Sequence, residues 1–121
     1  MAVSETHKES DGRSVTVTLS HTTDAGMAVY AQQWLGITVG GGESGDQTAL
    51  NIEGEWQFDV GDTLDPSVGD IVYIDPTAIS GTHVIPEAAY TTSAASNIPF
   101  FKCTSTKDSN NIVTGILLRQ V

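Results

Sequence analysis

The chain predicts an all-β fold, and three observations carry that expectation. Short runs of alternating or contiguous apolar residues recur at close intervals, separated by turn formers. Thr is abundant and there are 12 Gly, both of which favour strands and turns over helices. No stretch sustains a helical period. Seven to nine short strands in a 121-residue chain predict one compact β barrel or sandwich, long enough for a real core but not for two domains.

The stretch from Leu50 to Asp75 organises the rest. Trp56, Phe58 and Val60 alternate with Gln57 and Asp59, which places one apolar face on a core and one polar face in water. Ile71, Val72, Tyr73 and Ile74 are contiguous and β-prone, which suits a strand buried on both sides. Gly61, Asp62, Asp65, Pro66 and Gly69 supply the turns between them.

Taken in order, residues 1–13 are polar and without period, and they read as a flexible arm. Val15, Val17 and Leu19 alternate with Thr16 and Thr18 in a half-buried strand. Asp24 and Gly26 mark a turn. Met27 to Val39 holds one or two strands with a break near Gln32–Trp34, and 40–45 is a glycine-rich loop. That loop lacks the Lys-Ser/Thr and the following helix of a phosphate loop. Gln47 to Val60 gives one or two strands, bent at Gly54. A strand follows at Asp70–Ile74 and a short one at Thr82–Ile85. Pro86 to Asn97 reads as a loop with one turn of helix. The last two strands, Pro99–Thr106 and Ile112–Arg119, are joined by a hairpin turn at 108–111.

Charge narrows the partners. Five basic residues face 15 acidic ones, a net charge of -10. No Lys or Arg lies between Ser14 and Phe101, an interval that holds eleven acids. Such a surface repels nucleic acid phosphate and anionic lipid. The single cysteine, Cys103, permits no intrachain disulfide. Residues 1–13 lack the apolar core of a signal peptide, and no apolar run reaches the ~20 residues of a membrane span. The expectation is a soluble chain made in a reducing cytosol.

The search for chemistry returns little. His7, His21 and His83 are scattered without metal-ligand spacing. Asp59, Asp62 and Asp65 lack the donor pattern of a calcium loop and read as solvated turn acids. A Ser–Lys hydrolase would need Lys102 buried beside a serine, whereas the alternation puts Lys102 outside, between inward Phe101 and Cys103. Catalytic residues, metal ligands and cofactors are therefore expected to be none. Trp34, Trp56 and Tyr73 are expected in the core or at a subunit interface. The alternative is a carbohydrate- or host-surface-binding β module that uses exposed Trp or Tyr.

In chain order these segments resemble the phage head decoration, or capsid cement, proteins. The carriers are Asp24-Ala25-Gly26-Met27-Ala28-Val29, Trp34-Leu35-Gly36-Ile37-Thr38-Val39, Ala49 to Phe58, Val68-Gly69-Asp70-Ile71-Val72-Tyr73-Ile74-Asp75, and Ile112 to Leu118. Phe100-Phe101-Lys102-Cys103 departs from the family pattern. The resemblance implies a small single-domain β-barrel or tulip-like subunit (14–121) with an N-terminal arm (1–13). It implies no enzyme. It implies homotrimers on the outer surface of the expanded icosahedral head, at threefold and quasi-threefold sites, bracing the major capsid protein after synthesis in the host cytoplasm. Val3, Val15, Val17 and Leu19 become the expected capsid contacts.

Overall fold

The computed structural model describes residues 14–79 and 83–120; the predicted arm, with Val3, lies outside them. Among the described residues nine strands form two antiparallel sheets. The first sheet contains β1 (Ser14–Thr18), β2 (Ala28–Ala31), β3 (Trp34–Thr38) and β4 (Gln47–Asn51), in the order β1-β4-β3-β2. The second contains β5 (Glu55–Asp59), β6 (Ile71–Ile74), β7 (Tyr90–Thr91), β8 (Ile98–Cys103) and β9 (Ile112–Leu117), in the order β5-β9-β8-β6-β7. Helix is confined to two single 3-10 turns, Pro76–Ala78 and Glu87–Ala89. The all-β expectation holds, and the sheet curls into a half-barrel.

The first sheet curls because its two ends meet. β1 and β2 are opposite edges, yet Val17 of β1 packs in one cluster with Val29 and Ala31 of β2 and Leu50 of β4. The Thr18 amide then donates to Gln32 Oε1 (2.9 Å) at the β2–β3 turn. Gly36 permits the close approach of β3 to β4, since a Cβ there would stand 2.7 Å from the Asn51 carbonyl oxygen. The predicted break at Gln32–Trp34 is this two-residue turn. Gln32 and Gln33 both adopt positive φ, 50° and 69°, the twist that suits a tight hairpin.

The larger core lies between the sheets. Leu35 and Ile37 from β3 meet Phe58, Val72, Ile74, Phe100, Phe101, Cys103, Val113 and Leu117 from the second sheet. Phe58 stacks on Phe101 with ring centroids 3.9 Å apart and planes at 4°. The adjacent Phe100 and Phe101 are both buried because β8 carries a bulge. Val72 pairs with Phe101 and Tyr73 with Pro99, so Phe100 is the extra residue and its side chain joins its neighbour's on the core face.

Three local expectations change. β6 is not buried on both sides: Val72 and Ile74 are buried, while Ile71 and Tyr73 are partly exposed on the outer face. The contiguous apolar run hid this alternation. Of the short strand expected at Thr82–Ile85, the described part makes an isolated bridge, Val84 to Val29. After the 3-10 turn, Tyr90–Thr91 forms a short strand on β6 that the Thr- and Ser-rich sequence did not announce.

Candidate functional site

The predicted contact residues divide by where β1 puts them. Val17 and Leu19 are 1% exposed and Val15 packs against the smaller cluster, so these side chains are committed to the interior. The outer edge of β1 is the side turned from β4, and its Thr18 amide is taken by Gln32 Oε1. The Thr18 amide points away from β4, and alternation places the Thr16 main-chain groups on that same outward edge. Ser14, Thr16 and Thr18 are half-buried or exposed beside it. An edge strand with its side chains anchored inside is a template for an incoming extended segment.

The three aromatic candidates part company. Trp34 ends the β2–β3 hairpin opposite Ala31, half-buried against the smaller cluster. Trp56 packs on the larger core, and its indole Nε1 donates to the Glu53 carbonyl (3.0 Å). Tyr73 lies on the outer face of the second sheet. Of the five Trp and Tyr residues, Tyr90 is buried and the other four are half-buried.

The loop acids are spent on their own turns. Asp46 Oδ2 accepts from the Glu43 amide and Asp70 Oδ2 from the Ser67 amide (2.8 Å each). Asp59 Oδ1 accepts from the Gly61 amide and Asp75 Oδ1 from the Thr77 amide (3.0 Å each). Asp108 Oδ1 accepts from the Asn110 and Ile112 amides. Such side-chain to main-chain bonds hold tight turns without a cation. In the Asp59–Asp65 loop the positive charge comes from the chain itself. Lys107 Nζ donates to the Gly61 carbonyl (3.0 Å) and the Leu64 carbonyl (2.7 Å). Among the described residues no three His, Cys, Asp or Glu side chains group as metal ligands.

One polar cluster escaped the sequence reading. His21 and His83, far apart in the chain, meet edge to face with ring centroids 5.7 Å apart. Ser20 Oγ lies 2.9 Å from the Nδ1 of each ring, and Thr23 Oγ1 lies 2.5 Å from His83 Nε2. Thr23 Oγ1 donates to the His21 carbonyl, so it accepts from His83 Nε2–H. His83 Nδ1 then accepts from the Ser20 amide and hydroxyl. This chain of donors holds His83 neutral. Burial, with His21 beside it, lowers its pKa. A serine beside a histidine invites a nucleophilic reading, but the group behind this imidazole is a threonine hydroxyl. A carboxylate there would stabilise an imidazolium; a hydroxyl that already donates elsewhere does little. The cluster pins Ser20–Thr23 to the segment at His83, whose carbonyl accepts from the Tyr30 amide.

The other nucleophile candidates also fail. Lys102 is exposed on the outer face, opposite Ile116 and Ile71, and not desolvated beside a serine. Cys103 is buried, and burial, with Asp70 nearby, raises its thiol pKa and keeps the unreactive form.

The described residues thus form a β body whose turns are tied by their own side chains, with β1 at one edge of the first sheet. No curated protein and no solved structure matches the chain. A family model described as phage cement protein matches residues 9–119, the whole β body and the last residues before it. The chain therefore belongs to the phage cement proteins, structural components associated with the phage capsid.

Proposed function

We propose that this chain binds the outer surface of the expanded icosahedral head as trimers, at threefold and quasi-threefold sites, and stabilises the shell of major capsid protein. The observation that carries this reading is the family match over residues 9–119. The fold is consistent with the role. Its turns are tied by their own side chains, and its surface is acidic enough to stay off nucleic acid.

The mechanism is binding alone. A protein that binds the expanded shell and not its dissociated subunits stabilises the shell by mass action, and many copies multiply a modest local effect. On this reading the arm, residues 1–13 with Val3, leads into β1, and the outer edge of β1 pairs with an extended capsid segment. Val15, Val17 and Leu19 serve by anchoring that edge to the core.

The test is shell stability. Undecorated expanded heads are heated with and without saturating protein, and genome release is followed by dye fluorescence. The reading predicts a higher release temperature with the protein, lost when residues 2–13 are deleted. An unchanged release temperature at full occupancy would contradict the stabilising role. Retained binding after the deletion would remove the arm from the account.

A further inference from the structure

We propose that the free edge of β5 receives an extended segment of the capsid protein, which joins the five-stranded sheet as an added strand. The inference rests on the capsid-binding reading above and adds a second site to the β1 edge.

β5 ends its sheet, with β9 on one side and no strand on the other. The ladder fixes which main-chain groups are spent. The Val60 amide donates to the Asn111 carbonyl and the Leu117 amide to the Gly54 carbonyl. In that register Gly54, Trp56, Phe58 and Val60 turn their main-chain groups to β9. Glu55, Gln57 and Asp59 turn theirs the other way. Among the described residues none of these three has a main-chain hydrogen bond. Three successive outward residues thus each offer one donor and one acceptor, the template an incoming strand needs. On β1, by contrast, Gln32 already takes the outward Thr18 amide.

A groove of about 300 Å³ runs beside these open groups. Its β5 wall is Trp56, Gln57, Phe58 and Asp59. These residues belong to both faces of the sheet, so the groove follows the edge of the strand and not one face. Half-buried Met27, Ala28 and Val84 stand on the far wall. There the Met27 amide is spent on Thr38 Oγ1 and the Ala28 carbonyl on the Ile85 amide. An extended peptide suits both walls. Its main chain pairs with β5, and alternate side chains rest on the apolar side chains of the groove.

Charge states what the other side chains of the added strand carry. Glu55 and Asp59 are exposed and acidic, and Gln57 between them is exposed and neutral. Opposite charges on neighbouring strands stabilise the pair, and like charges oppose it. The occupant is therefore apolar on one face and carries Lys, Arg or Thr on the other. A second copy has no such strand among its described residues. Their bases are Lys102, Lys107 and Arg119; β8, which carries Lys102, lies inside its sheet, and the other two lie outside strands. The capsid is the polypeptide that a cement protein meets, and it supplies the segment.

The test is co-sedimentation of the full chain with undecorated expanded heads, for the wild type, Gln57→Pro and Gln57→Thr. Proline removes the central outward donor and takes nothing from the β9 ladder, a placement that edge strands tolerate. Threonine keeps the donor. Far-UV circular dichroism checks that both variants are folded. Gln57→Pro is expected to raise the concentration for half-occupancy by roughly tenfold or more, while Gln57→Thr binds like the wild type. Hydrogen exchange on the wild type gives a reading that needs no variant. The Glu55, Gln57 and Asp59 amides should exchange fast in the free chain and slowly on heads, with Trp56 and Phe58 slow in both. A folded Gln57→Pro that binds like the wild type, or amides that stay fast on heads, would overturn the site and leave capsid binding standing. An equal loss in Gln57→Thr would overturn strand pairing, because the side chain would then make the contact. Amides already slow in the free chain would overturn it too, and their release on deleting residues 2–13 would give the groove to the chain's own arm. A wild type that binds no heads would overturn the capsid reading and the site with it.

Discussion

Gly115 shows how much of this core depends on one missing methyl group. Phe101 lies across it on the neighbouring strand, and a Cβ at that position would sit 2.2 Å from Phe101 Cδ1. The ring has no room to retreat, because Phe58 stacks on it at 3.9 Å. Gly115→Ala should therefore destabilise by about 1–3 kcal/mol in a denaturant titration, despite a gain in strand propensity. Had the ring been free to turn, the change would be near neutral. His83 gives the second prediction at this scale. Its folded pKa is lowered, by burial and then by His21, from an ordinary value of 6.5. Above pH 6.5 both folded and unfolded chains carry it neutral, and its contribution is fully present. As pH falls below 6.5 the unfolded chain takes up a proton that the folded chain resists, so stability declines until the folded pKa is passed. The melting temperature should drop between pH 6.5 and pH 5, and His83→Gln should flatten that slope. An equal slope in the variant would assign the effect to other groups. Neither feature was legible in the sequence. A strand glycine marks a close approach without naming the neighbour, and the His21–His83 pair exists only after two distant segments meet.

At the scale of elements, the strands of the second sheet could be read from alternation because that sheet has one wet and one dry face, whereas β3 of the first sheet is buried on both faces, by the larger core and by the smaller cluster. The connections were harder to read. The β2–β3 turn uses Gln32-Gln33 where Asn-Gly is the usual choice, so the sequence showed a break without its geometry. The turn is held by context: Gln32 Oε1 takes the Thr18 amide and ties the hairpin to β1. Gln33, at φ 69°, makes no such bond in the described structure and carries left-handed strain. Gln33→Gly should stabilise by roughly 0.5–1 kcal/mol, read as a higher denaturation midpoint with an unchanged slope. A loss of stability would mean that the Gln33 side chain contributes more than its backbone costs. The β8 bulge was hidden for a related reason. Two adjacent phenylalanines cannot both face inward on a regular strand, and only the register with β6 reveals the extra residue.

At the scale of the molecule, acidity, the turn-rich chain and the order of motifs led from sequence to a structural β protein. The outer face of the second sheet stayed obscure because it is made by register. Ile71, Tyr73, Lys102 and Ile116 are dispersed in the chain and become neighbours only across paired strands. The central claim is that the protein recognises the assembled, expanded shell. Co-sedimentation of the purified full chain with undecorated expanded heads and with unexpanded procapsids tests it most directly. The account predicts saturable binding to expanded heads, in multiples of three at each local threefold site, and little to procapsids. Absence of binding to either cognate shell would contradict it.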